Sequence, residues 1–115
     1  MGAGTEDPWL QDHPAVVEWW GGRYEPSSID PNAGIAAAVQ EAHRDVAGRP
    51  TQVTGVPYGS DMALLVNHGA TLAVLYGPGD VRNAHVPDEF VPIDEVLIAA
   101  RSLALTAMRF CGVAS

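Results

Sequence analysis

Three stretches of the chain concentrate residue types that can do chemistry: Gly55-Val-Pro-Tyr-Gly-Ser-Asp61, Tyr76-Gly-Pro-Gly-Asp80 and Ala84-His85-Val-Pro-Asp88-Glu89. They make two loaded loops about twenty-five residues apart, each just after a β-like run. Gly59-Ser60-Asp61 opens a predicted helix, where free backbone N–H groups and the helix dipole favour an anion such as a substrate carboxylate. The plainer reading of Ser60 is a helix cap, and of Asp61 a first-turn acid with only a dipole role. His85 follows Gly-Pro-Gly, where backbone can approach a ligand closely, and Asp88 and Glu89 stand three and four residues on. A loop histidine with nearby carboxylates suits a metal ligand with supporting acids. A lone histidine is more commonly a surface or hydrogen-bonded residue, and zinc requires three or four protein ligands. The other histidines add nothing: His43-Arg44-Asp45 lies mid-helix, where residues two apart face different directions and read as a solvated face. His68 is explained by a helix C-terminus, and His13 before Pro14 has no evident partner.

The elements that must position these loops follow from apolar runs and their punctuation. Met1 to Gln11 is polar, aperiodic and a loose lead-in. Ala15 to Trp20 is rich in β-formers and closes on Gly21-Gly22, which predicts a short strand with Trp19 and Trp20 on opposite faces. Asp30-Pro31 predicts a helix start and Gly48-Arg49-Pro50 its stop, with the helix reaching about Ala47. Thr51 to Val56 alternates as a strand, Asp61 to His68 follows as a short helix ended by Gly69, and Thr71 to Tyr76 reads as a buried strand. Ile93-Asp94-Glu95 starts the longest helix, which continues to Phe110 with Gly112 just beyond. One βαβ unit with parallel strands and a right-handed crossover is therefore expected. Parallel sheets are covered on both faces and have more strands, so Val53, Val74 and Tyr76 call for neighbours that these residues do not supply.

Composition excludes several classes. The 115 residues allow one domain at most, and 47% hydrophobic content supports a core. A net charge of −8, with six Arg and no Lys, argues against binding a nucleic-acid backbone. The apolar stretches fall short of the roughly 20 residues that a membrane span requires, and no signal-peptide profile opens the chain. A cytoplasmic protein is expected. The single cysteine, Cys111, excludes an intramolecular disulfide and a thiolate zinc site, and reads as a small hydrophobe near a helix end.

The ordered set Gly59-Ser60-Asp61, Gly69, Tyr76-Gly-Pro-Gly79, Ala84-His85 and Asp88-Glu89-Phe-Val91, followed by a long apolar helix, resembles the C-terminal end of the zinc-dependent acylases. That family includes acetylornithine deacetylase, succinyl-diaminopimelate desuccinylase, aminoacylase and glutamate carboxypeptidase, and the resemblance runs from about His13-Pro14 to Gly112. It implies an α/β fold: a partial three-layer, parallel-rich sheet with covering helices, the C-terminal piece of a co-catalytic zinc hydrolase domain. By position, residues 1–27 would be the lead-in and exit from a lid and dimerisation domain, and residues 28–115 the last part of the catalytic domain.

The resemblance also assigns roles. His85 matches the family's last metal ligand, Gly59, Ser60 and Asp61 the loop facing the substrate carboxylate, and Gly79 the substrate side of the glycine turn. Ser60 stands where the family more often has Thr, which keeps the hydroxyl. Glu89 matches a glutamate that would support the His85 loop. The family's upstream His-x-Asp motif, bridging Asp, Glu-Glu pair and further acidic ligand have no match here, so no catalytic residue is assigned. The complete enzyme would use two zinc ions, with cobalt or manganese as substitutes, to cleave N-acyl amino acids or peptides, and would form a homodimer. Without its N-terminal half the chain is expected to be inactive. The rival reading is a non-catalytic module that associates with itself or a partner through an uncovered sheet edge and Trp19 and Trp20.

Overall fold

Two long helices form wherever the chain can satisfy its backbone from within. The computed structural model describes residues 7–113. Helix α1, Pro8–Asp12, is a single turn: the Asp7 carboxylate accepts from the Trp9 N–H at 2.8 Å, and Pro8 occupies the first turn, where its missing N–H costs nothing. It replaces part of the loose lead-in expected for Met1 to Gln11, of which residues 1–6 lie outside the described residues. His13 closes it, its backbone N–H and Nδ1 each 2.9 Å from the Trp9 carbonyl and its ring stacked on Trp9 at 4.4 Å.

Helix α2, Gly34–Ala47, ends as expected: Gly48 takes a left-handed φ of 68° and donates to the Arg44 carbonyl. It begins later than Asp30-Pro31 suggests. Asp30 spends its carboxylate on the Asn32 N–H at 2.8 Å and its carbonyl on Ala33, making a separate turn before the helix. Helix α3, Ile93–Cys111, carries Asp94 and Glu95 in its first turn and Arg109 in its last, each sign matched to the dipole.

The core is the seam between α2 and α3. Ala36, Val39 and Ala42 of α2 and Ala99, Ser102 and Thr106 of α3 are buried, so small residues let the two helices approach closely. Thr106 Oγ1 donates to the Ser102 carbonyl at 2.8 Å, and Arg109 meets Asp45 across the seam at 2.8 Å. None of the helices among the described residues is long and apolar enough to cross a membrane.

The expected parallel-rich sheet is overturned, and with it the βαβ unit. No residue among those described is in a strand. Thr51 to Val56 and Val74 to Tyr76 line one cavity, yet the two runs form no ladder with each other. The physical reason is that an α-helix closes its hydrogen bonds within five residues, whereas a strand exists only when a second strand stands about 4.8 Å away. Ala15 to Trp20 is likewise no strand, and Trp19 and Trp20 are 95% and 90% exposed. The Cα radius of gyration of 20.3 Å exceeds the roughly 13 Å of a compact domain this long. Asp61 to His68 is also altered: after Met62 and Ala63 the turn widens to a π-helical turn, Leu64–His68. Gly69 donates to the Leu64 carbonyl at 2.9 Å, and a Cβ on Gly69 would stand 2.8 Å from the Leu65 carbonyl oxygen.

Candidate functional site

The two loaded loops meet along a pair of contiguous cavities of about 540 and 500 Å³, which share Tyr58, Ser60, Leu75 and Tyr76 as walls. The first is bordered by the α2 face through Val39 and Gln40 and by the unpaired run Thr51 to Val56. The second is bordered by the Gly77-Pro78-Gly79 turn and by Glu89 and Phe90.

Ser60 is half-buried, and its Oγ accepts from the Met62 N–H at 3.3 Å, so the hydroxyl caps the turn that follows. The Asp61 carbonyl takes Leu64 and Leu65 N–H groups at 3.0 and 3.3 Å, while its side chain is on the exposed rim. Gly59 is covered by the Tyr24 ring. Gly79 has a left-handed φ of 86°, leaves 3.2 Å between its missing Cβ and a Val91 methyl, and donates its N–H to Glu95 Oε2 at 2.8 Å. Glu95, in the first turn of α3, thereby ties the glycine turn to the helix seam.

His85 follows the 3₁₀ turn Val81–Asn83. Asp80 caps that turn, accepting from the Arg82 N–H and Nε at 2.9 Å, and the Arg82 guanidinium also pairs with the second carboxylate oxygen. These hydrogen bonds, side chain first and backbone second, hold the Asp80 carboxyl at about 2 against an ordinary 3.8. His85 and Asp88 both adopt left-handed φ, 60° and 62°, which side chains with a Cβ rarely take. The Glu89 carboxylate accepts from the His85 backbone N–H at 3.1 Å and closes the loop against that strain.

Among the expected site residues, Ser60, Gly79 and Glu89 line one cavity, while Gly59, Asp61 and His85 stand outside its lining. Among the described residues, no group of three or more His, Cys, Asp and Glu side chains gathers as a cation site. His85 by itself does not make a zinc site.

Three contacts escaped sequence reasoning. His43, read as part of a solvated face, is half-buried with Nδ1 2.8 Å from the Tyr76 hydroxyl and their rings edge to face at 5.8 Å. Asp45, of the same face, reaches Arg109. His68, attributed to the dipole, hydrogen-bonds Glu25 at 3.1 Å. No motif signals these pairs, since the partners lie 33, 64 and 43 residues apart. Cys111 stands at the helix end as expected, the last residue of α3, free and exposed.

The cleft brings Ser60, the glycine turn and Glu89 together without a gathered ligand set among the described residues, and sequence comparison supplies the class. The profile of Peptidase family M20/M25/M40 matches residues 5–109, nearly the full chain, and the chain belongs to that family. The family is generally metal-dependent. Over 57 residues the chain is 37% identical to an acetylornithine deacetylase of Myxococcus xanthus, a match covering 50% of this chain and 15% of that protein. No solved structure matches.

Proposed function

We propose that residues 28–115 are the C-terminal part of the catalytic domain of a dinuclear zinc amidohydrolase that cleaves N-acyl amino acids or peptides. Residues 1–27 are then the exit from its lid and dimerisation domain. The observation that carries this reading is the His85 loop, held in a left-handed turn by Glu89, within a family match spanning residues 5–109. In this reading His85 supplies one metal ligand, Glu89 fixes its backbone, and Gly59, Ser60, Asp61 and Gly79 face the substrate carboxylate. The chain holds no general base, so activity requires the remaining catalytic portion as a partner. The unpaired runs at Thr51 to Val56 and Thr71 to Tyr76, of which Thr51 to Val56 and Val74 to Tyr76 border the larger cavity, support such a partner. The complete enzyme is a cytoplasmic homodimer that binds neither nucleic acid nor membrane, and cobalt or manganese replaces its zinc.

The test is co-expression with the remaining portion of an M20 catalytic domain, followed by metal analysis and assay on N-acetyl amino acids. Zinc and hydrolysis are expected only in the complex, and His85→Ala is expected to remove both. Tight zinc and robust hydrolysis by the 115-residue chain alone, or an H85A complex that keeps its full zinc content, overturns the reading. The exposed Trp19 and Trp20 favour a second reading, association through that surface. Sedimentation showing a single monomeric species excludes it.

A further inference from the structure

Residues 24–26 cross the loop that begins at Gly59, and they hold it at both ends. At its start, a Cβ placed on Gly59 would stand 2.3 Å from Tyr24 Cγ and 2.5 Å from Tyr24 Cβ. Those atoms belong to the root of the tyrosine side chain, so no rotation of the ring makes room for them. The φ of Gly59 lies outside the left-handed range, and its lack of a side chain is therefore a matter of space for Tyr24. At the far end, His68 Nε2 donates to Glu25 Oε2 at 3.1 Å and Asn67 Nδ2 donates to the Pro26 carbonyl at 3.1 Å. Three consecutive residues thus grip both ends of a ten-residue stretch whose second and third residues are Ser60 and Asp61.

We propose that Tyr24 and Glu25 are positioning residues: together they set the placement of Gly59-Ser60-Asp61, and thereby how that loop meets a substrate carboxylate. The assignment rests on the reading of residues 59–61 as the carboxylate-facing loop. The His68 hydrogen bond, helped by Asn67 and by the nearby Arg23, holds the Glu25 carboxyl below its ordinary range, the direction required of a carboxylate engaged in a clasp.

Two readouts test the proposal separately from the hydrolase reading. In the 115-residue chain, Tyr24→Ala and Glu25→Gln are expected to move the backbone amide resonances of Gly59, Ser60 and Asp61. Amides across the α2 and α3 seam should stay in place, and Glu25→Asp should restore part of the wild-type pattern. The wild-type Gly59 amide should also shift as acid protonates Glu25, and by more than the Gly59 amide of E25Q. In the complex with the remaining catalytic portion, E25Q should raise KM for N-acetyl amino acids about two- to fivefold, the scale of an exposed ion pair. Turnover, zinc content and KM for the corresponding carboxamides should not change. Unmoved loop amides in both variants overturn the proposal, as does an equal rise in KM for acids and amides. If the amides move but the wild-type complex does not hydrolyse any N-acetyl amino acid, the hydrolase reading fails and the positioning of the loop by Tyr24 and Glu25 stands.

Discussion

The α2–α3 seam and the stretch from Thr51 to Val91 are built from similarly apolar sequence, yet only the first is packed. Ala42 and Ser102 are fully enclosed between helices, whereas Val53, Leu72, Leu75 and Val91 remain largely exposed. The difference lies in where each element finds its hydrogen bonds. Helices α2 and α3 satisfy their backbones internally and need only one neighbour to bury a face. A β-like run needs a partner along each edge before it can bury anything.

Hydrogen exchange should show the contrast with the largest effect. Amides in the middle of α2 and α3 are expected to be protected by orders of magnitude over those of residues 52–56 and 72–76, which have no ladder to protect them. Comparable protection in both regions would break the distinction. Next in size, Ala42→Leu drives a large side chain into the seam and should cost about 2 kcal/mol. Thermal melts followed by circular dichroism check it, and the same change at exposed Ala100 should be nearly silent. Smaller still is the clasp between Asp45 and Arg109. A double-mutant cycle should return a coupling of about 0.5 kcal/mol, since both side chains are partly exposed.

The smallest effect belongs to the loop region. The Asp80 carboxyl is held at about 2 by Arg82, so its contribution to the Val81–Asn83 turn is full above its ordinary 3.8 and is lost as pH falls through about 2. Carboxyl carbon resonances followed against pH should place its midpoint near the lower value. Arg82→Gln should return it to the ordinary range, with the helix seam unaffected. A wild-type midpoint near 3.8 would remove that pair from the account of the loop.

Much of the candidate site was legible because its bonds are local. Ser60 lies two residues from Met62 and was readable as a cap, and Glu89 lies four from His85, whose loop the family resemblance had it support; the Asp80–Arg82 pair, though only two residues apart, was not read. Gly48 and Gly112 likewise mark the ends of α2 and α3. The Tyr24 ring over Gly59, Glu25 on His68 and Tyr76 on His43 were not legible. Their partners are distant along the chain, and no periodicity records which distant segment will arrive.

The amino-acid order by itself determined the two long helices, the glycines that end them, and the family whose residue pattern spans them, the helices because they rest on interactions within a few residues. Only the tertiary structure decided that the β-like runs stay unpaired and that Tyr24 and Glu25 hold the Gly59 loop. It also showed His85 without gathered ligands among the described residues. Strand pairing and metal coordination join distant groups, so their formation depends on which segments are brought together and not on the local propensity of either.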